Sequence, residues 1–306
     1  MSGAADKSSL RVVGACPGPG GREGRPLPGQ VVANDDFGGA VRLTVAVPGW
    51  PGARPGQFAL LQARPSCCFL ARALSVADEA GESLTFLIAP VGDGTRELSG
   101  LRPGDSLSVL GPLGNGFDVE ALVRGPGRAV IVAGGVGVAP FPLFLTRLAA
   151  RYREVFPSAH GDEPGSPTAC CTEVLVLAGF RDSGQYEVST PVREAARRLG
   201  ESGLRCRVEL VVEDGSRGPR EKATDLLERH IQPGDRIVVC GPWAMSEAVW
   251  RVCTAVAGVQ VWFSLETAMA CGVGSCHGCV VTLADGSYAR VCHEGPVFSG
   301  RELFGG

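Results

Sequence analysis

The sequence predicts a small antiparallel β-barrel, then an α/β domain with a parallel sheet, then a small C-terminal domain wound around a cysteine loop. Three observations carry this. Between residues 29 and 123, short apolar runs recur between Gly/Pro turns, the rhythm of an antiparallel barrel. Between 124 and 258, strand and helix patterns alternate, which calls for parallel strands. Between 259 and 306 the chain carries Cys271, Cys276, Cys279 and Cys292. Residues 1–28, as in Cys16-Pro17-Gly18-Pro19-Gly20-Gly21, are too rich in Gly and Pro to pack and are expected to be disordered or extended.

Composition narrows the function. A chain of 306 residues can bury a sizeable core across two or three domains. No apolar run reaches the length of a membrane span. The net charge of −3 gives no reason to expect nucleic acid or a membrane surface. The N-terminus lacks the basic, apolar, small-residue order of a signal peptide, so the expected location is the cytoplasm, where thiols stay reduced. Twelve cysteines then need a reason other than disulfides. Four belong to the C-terminal loop. Cys16, Cys67, Cys68, Cys170, Cys171, Cys206 and Cys253 are expected to be free thiols acting as small hydrophobes. Cys240 ends a strand and is treated separately.

In the first domain, Val41–Val47 alternates with period two and reads as a strand closed by Pro48-Gly49. Phe58–Leu61, Leu84–Ile88 and Ser106–Leu110 read likewise. Two polar groupings interrupt them. Arg72-Ala73-Leu74-Ser75 offers a guanidinium fork and a hydroxyl suited to a phosphate, or simply an exposed arginine. Gly92-Asp93-Gly94-Thr95 opens a helical turn whose N–H groups can cradle an anion, or is an ordinary turn. In the second domain, Ala129–Ala133 is a strand buried on both faces. Gly134-Gly135-Val136-Gly137-Val138-Ala139-Pro140 follows it and leads into a helix over Phe141–Arg151, the outline of a nucleotide phosphate site. Residues 156–172 read as a surface insert. Strands are predicted over Glu173–Ala178, Cys206–Val212 and Arg236–Cys240, and helices over Thr190–Leu199, Ala223–His230 and Ser246–Ala257, with Gly241–Met245 as a turn. The turns at Gly134, Asp214 and Cys240 follow strand ends and so face one crevice.

The C-terminal cysteines carry the most specific signal. Four residues separate Cys271 from Cys276, two separate Cys276 from Cys279, and twelve separate Cys279 from Cys292. This is the spacing of a loop around a plant-type [2Fe–2S] cluster. Structural zinc also takes four cysteines, more often in paired knuckles, and remains the alternative. His277 is read as an exposed loop residue, and Phe298 and Phe304 as core.

The order Arg72-x-x-Ser75, Gly92-x-Gly94-Thr95, Gly134-Gly135-x-Gly137-x-x-Pro140 and Cys240-Gly241-Pro242 resembles the ferredoxin–NADP reductase superfamily. Gly111–Phe117, Gly179-Phe180-Arg181, Asp214-Gly215-Ser216 and above all Ser264–Cys279 with Cys292-His293-Glu294-Gly295-Pro296 resemble its iron–sulfur branch, the electron-transfer subunits of NAD-dependent dihydroorotate dehydrogenases. Ala73 departs from the usual Pro after the flavin Arg. The resemblance implies an FAD-binding barrel over 29–123, an NAD-binding α/β domain over 124–258 and a [2Fe–2S] domain over 259–306. It implies that Arg72, Ala73, Leu74, Ser75, Leu87, Ile88, Ala89, Gly94 and Thr95 hold FAD. Gly134, Gly135, Gly137, Cys240, Gly241 and Pro242 would hold NAD(H). Cys271, Cys276, Cys279 and Cys292 would ligate the cluster.

The same resemblance implies an oxidoreductase subunit with no catalytic residue of its own. It would pass electrons between NAD and an FMN-containing catalytic partner of pyrimidine biosynthesis, in a hetero-oligomer without a membrane span. Two alternatives stay open: a reductase subunit of a hydrogenase-type or ferredoxin-linked complex, and a zinc-stabilised nucleotide-binding regulatory module. Arg217 and Arg220 are read as a solvated loop, with selection of a phosphorylated ribose as the alternative.

Overall fold

The computed structural model describes residues 25–37, 39–125, 127–156 and 171–306. Most of the N-terminal extension and of the 156–172 insert, with Cys16 and Cys170, lies outside them.

The first domain is a seven-stranded antiparallel sheet, built from β1 (Leu27–Asp36), β2 (Val41–Ala46), β3 (Phe58–Arg64), β4 (Arg72–Ser75), β5 (Asp78–Ala80), β6 (Ser83–Ile88) and β7 (Ser106–Leu113), with helix α1 (Asp93–Ser99) before β7. Its order is β4-β3-β7-β1-β2-β6-β5, and β4 packs back against β6, so the sheet curls into a half-barrel. Period-two alternation turns Leu43, Val45, Leu84, Phe86, Ile88, Leu107 and Val109 into its core. The first strand begins at Leu27, inside the stretch expected to be unstructured. Pro28 and Gly29 disguise it in the sequence. Gly29 fits there because a side chain would press on Val45 and Val109 of the two neighbouring strands.

The second domain contains α2 (Val119–Arg124), β8 (Gly127–Gly134), α3 (Phe141–Val155), β9 (Cys171–Phe180), α4 (Ser183–Tyr186), α5 (Thr190–Gly200), β10 (Arg205–Val212), α6 (Ala223–His230), β11 (Arg236–Cys240), α7 (Trp243–Thr254) and β12 (Gln260–Ser264). The continuous apolar runs are central strands with two buried faces. Ala129, Ile131 and Ala133 of β8 pack with Phe144, Leu148 and Val192 on one side. Val130 and Val132 pack with Leu226, Leu227 and Val249 on the other. The chain runs outward through β8, β9 and β10, then returns to start β11 on the opposite side of β8. The β8/β11 boundary is therefore the point where connections diverge, the usual ligand crevice of such sheets. Cys171 and Thr172 belong to β9, not to a surface insert, and α7 starts at Trp243, inside the expected turn.

The C-terminal part differs from the expected division at residue 259. Strand β12 extends the parallel sheet beside β11, and β15 (Val297–Ser299) returns antiparallel along it, followed by α8 (Gly300–Phe304). Only residues 265–296 leave the sheet. That excursion contains all four loop cysteines and a hairpin of β13 (Val280–Thr282) and β14 (Tyr288–Arg290). The sheet claims the flanks because Val261, Phe263 and Phe298 are apolar enough to be buried there. Phe304 closes the end against Trp250 and Phe263.

Candidate functional site

Two cavities meet between the domains. The first, about 500 Å³, is lined by Ala73, Leu74 and Ser75 of β4, Leu87 and Ala89 at the end of β6, Thr95 of α1, and the segment Leu265–Thr267 with Met269. The second, about 640 Å³, lies over the carboxyl ends of the parallel strands, with Gly134 and Gly135 after β8, Gly179 and Arg181 at β9, Glu213 after β10 and Pro242 after β11. Ala89, Val91, Val136 and Glu266 line both, so the cavities share one wall.

Alternation along β6 decides which apolar residues reach the first cavity. Leu87 and Ala89 face it, whereas the Ile88 side chain is sealed in the barrel core. Ile88 was expected among the contacts; its side chain points the wrong way. Arg72 does not line the cavity wall. Its guanidinium lies over the first turn of α1, so close that a Cβ on Gly94 would overlap it. A side chain at Gly94 would displace the guanidinium from this position. Thr95 Oγ1 meanwhile accepts from Gly92 N at 3.0 Å.

The glycines of the second cavity divide into two kinds. Gly137 and Gly241 do not face it. A Cβ on Gly137 would overlap the Cys240 carbonyl, and one on Gly241 the Met245 methyl. These glycines let the β8 and β11 turns interlock. Gly135, with φ +55°, faces open space. The rim carries Arg181, Lys222 and Arg251 against Glu213, a polar frame suited to an anionic dinucleotide. Arg181 stood in a stretch singled out in the sequence. Glu266 also stood in such a stretch, Ser264–Cys279, whereas Lys222 and Arg251 carried no sequence signal, because spacing says nothing about which loop tips converge. Arg217 instead pairs with Glu187 at 2.5 Å and stacks on the Tyr186 ring at 4.1 Å.

Cys240 is buried, its sulfur 3.7 Å from Glu266 Oε1. Burial, then the Glu266 charge, pushes its thiol well above the ordinary range. Solvent in the cavities reaches part of Glu266, yet desolvation of its carboxyl still raises it, against the opposing Cys240 contact.

Met269 lines the first cavity, and Cys271 follows two residues later. Gly272, with φ +68°, presses onto Leu60 and Leu113 of the barrel, where a side chain would collide. The hairpin explains the short twelve-residue step: Val280 faces Arg290, Val291 N donates to Cys279 O at 3.0 Å, and Cys292 N reaches Cys279 Sγ at 3.4 Å. The sulfurs form two pairs, Cys271 with Cys276 and Cys279 with Cys292. Among the described residues, no three of these four sulfurs lie within 4.8 Å of one another. A single zinc would draw all four to about 3.8 Å, from a Zn–S bond of about 2.3 Å. Two pairs suit two irons. Gly274 N, Cys276 N and Gly278 N point at sulfurs at 3.2–3.4 Å. Burial opposes ionisation of Cys271, but backbone N–H donors from Val273 and Cys276 outweigh it and hold its thiol down to about 6. His277 is exposed, with φ 56°.

Fold and site together define a reductase-like flavin and nucleotide-binding pair of domains carrying an iron–sulfur loop. The family model for the iron-sulfur cluster binding domain of dihydroorotate dehydrogenase B matches residues 266–304. The dihydroorotate dehydrogenase B (NAD(+)) electron transfer subunits of Clostridium acetobutylicum and Listeria monocytogenes are 35% and 32% identical to this chain. Each alignment covers 82% of it, and 86% and 88% of the respective relatives. The chain belongs to this family. Among solved structures, an NADH-dependent reduced ferredoxin-NADP oxidoreductase superposes with a TM-score of 0.66 at 25% identity, covering 90% of this chain and 88% of the other. A ferredoxin NADP+ reductase from Neisseria gonorrhoeae with bound FAD and NADP gives 0.58 at 15% identity, covering 79% and 100%, a likeness of fold alone. Among the described residues, no helix is long and apolar enough to cross a membrane.

Proposed function

We propose that this chain is the electron-transfer subunit of an NAD-dependent dihydroorotate dehydrogenase, moving electrons between a catalytic flavoprotein subunit and NAD through a [2Fe–2S] cluster and FAD, in the cytoplasm. One observation carries the reading: the segment that lines the first cavity through Met269 continues directly into Cys271 and is seated on the barrel by Gly272. The cluster loop and the flavin cavity are two ends of one short stretch. When bound, FAD exchanges two electrons with nicotinamide as a hydride and single electrons with the cluster.

The chain's residues do the positioning. Arg72, with Gly94 and Thr95, holds the flavin diphosphate at α1, while Ala73, Leu74, Ser75, Leu87 and Ala89 bound the ring. Gly134, Gly135 and Pro242 receive NAD(H). Gly137, Cys240 and Gly241 fix the turn beneath it. Val136 and Glu266 stand where the two cavities meet, so they orient one ring against the other. Cys279 and Cys292 are buried, whereas Cys276 is exposed. The buried pair anchors the cluster and the exposed one faces the partner.

The test is an anaerobic titration of the purified chain, followed by visible and EPR spectra. NADH is expected to bleach flavin absorption and produce a reduced-cluster signal. Dihydroorotate is expected to do so only with the catalytic flavoprotein added. A colourless protein with zinc and no flavin would overturn this in favour of the regulatory module. Electron delivery to ferredoxin but not to the flavoprotein would favour the ferredoxin-linked reading.

A further inference from the structure

Among the described cysteines expected to act as small hydrophobes, Cys67, Cys68 and Cys206 are not fully buried. Cys67 is exposed and Cys68 is half-buried, in the loop that joins β3 to β4. That loop meets Glu97 on α1. Cys67 Sγ, Cys68 Sγ and a Glu97 carboxylate oxygen all lie within 4.8 Å of one another. The grouping is separate in sequence from the C-terminal cysteine loop, and nothing in the electron path requires it.

The arrangement is built rather than incidental. Glu97 Oε2 accepts from Ser66 Oγ at 2.6 Å, and Oε1 accepts from Cys67 N at 2.8 Å. Ser66 Oγ also accepts from Cys68 N at 3.0 Å. From the other side, Gln62 Nε2 donates to the carbonyls of Cys68 at 2.8 Å and Phe69 at 3.2 Å. The Glu97 carboxylate and the loop backbone at both cysteines are thus held in place before any ligand arrives. The Cys67 thiol donates to Glu97 Oε1 at 3.1 Å.

We propose that Cys67, Cys68 and Glu97 form a site for a thiophilic divalent cation, Zn²⁺ in the first instance, with water as the fourth ligand. Two sulfurs and one carboxylate oxygen select zinc over Mg²⁺ or Ca²⁺, which favour all-oxygen shells. Binding balances as Zn²⁺ plus two thiols giving a zinc dithiolate and two released protons. The donor set carries three negative charges when ionised. The dication leaves one, and the Arg72 charge already acts on Glu97. The ion clips the β3–β4 loop, which leads into Arg72 at the start of β4, to α1. Any effect on flavin retention rests on the placement of Arg72 proposed above; zinc binding itself does not.

The experiment uses the full chain loaded with FAD and iron, under reductant, equilibrated with Zn²⁺ against a chromophoric chelator. The parent is expected to retain one zinc per chain. The Cys67→Ser, Cys68→Ser double variant is expected to lose it, with iron and flavin contents unchanged. Glu97→Gln is expected to bind at least tenfold more weakly. Zinc-edge X-ray absorption should show two sulfurs at about 2.3 Å and two lighter donors. No zinc on the parent, undiminished binding in the double variant, or a four-sulfur shell from zinc in the C-terminal loop would each overturn the proposal.

Discussion

At Gly137 a single hydrogen atom in place of a side chain allows the β8 and β11 turns to touch. Gly137→Ala would force its Cβ into the Cys240 carbonyl. The expected cost is roughly 1–3 kcal/mol, as for other overpacked sites, measured by urea unfolding. Gly200→Ala at the end of α5 meets nothing within 4 Å and is expected to be neutral or slightly stabilising, so the pair separates crowding from glycine's chain entropy. Glu266 tests function at the same scale. Glu266→Ala removes the polar contact to Cys240 and part of the wall between the cavities. The rate of flavin reduction by NADH is expected to fall about 10- to 100-fold, the scale of a lost alignment, with flavin content unchanged. Stopped-flow absorbance reads it.

Among the elements, α2 and α3 are joined by an ion pair. Arg151 Nη2 donates to Glu120 at 2.9 Å, and Arg124 also reaches this carboxylate. The bond from Arg151, then that from Arg124, holds the Glu120 carboxyl down to about 2. Its folded-state value lies below the unfolded one, so the contribution is present above about pH 4.5 and lost as pH falls toward 2. Both side chains are more than a third exposed, and solvent screening keeps the effect small, at most about 2 °C in Tm. Glu120→Gln is therefore expected to melt slightly below the parent at neutral pH and to converge with it near pH 2. Strand and helix types were legible where the period was clean, as in β2 and α5, or where an apolar run was unbroken, as in β8. Strand β1 was masked by Pro28 and Gly29. Strands β13 and β14 were masked by shortness, since three residues cannot show a period.

In the whole molecule, Asn115 ties the barrel's exit to the C-terminal excursion across 182 residues. Its amide donates to Glu294 O at 2.8 Å and Val297 O at 2.9 Å, and accepts from Val297 N at 2.9 Å. Asn115→Ala strands the buried N–H and carbonyl of Val297, at roughly 2–4 kcal/mol. Because the clasp lies next to the hairpin that brings Cys292 to Cys279, the variant is also expected to lose iron faster to a chelator. Lowered stability with an unchanged rate of iron loss would contradict that coupling. Gly111–Phe117 stood out in the sequence as a motif; the clasp is the physical reason such a stretch is needed.

The chain's own order determined the three-part architecture, the four cysteines of the loop and the strand-ending turns, because spacing and period are local properties of a sequence. Tertiary structure decided what spacing cannot encode. It set Ile88 into the core and Leu87 into the cavity by the pleat of one strand. It drew β12 and β15 into the parallel sheet, since burial of Val261, Phe263 and Phe298 favours pairing there. It brought Glu266, Lys222 and Arg251 to one crevice from distant loops. It also set Cys67 and Cys68 beside Glu97, thirty residues along the chain, a meeting that only the packing of α1 against β3 makes possible.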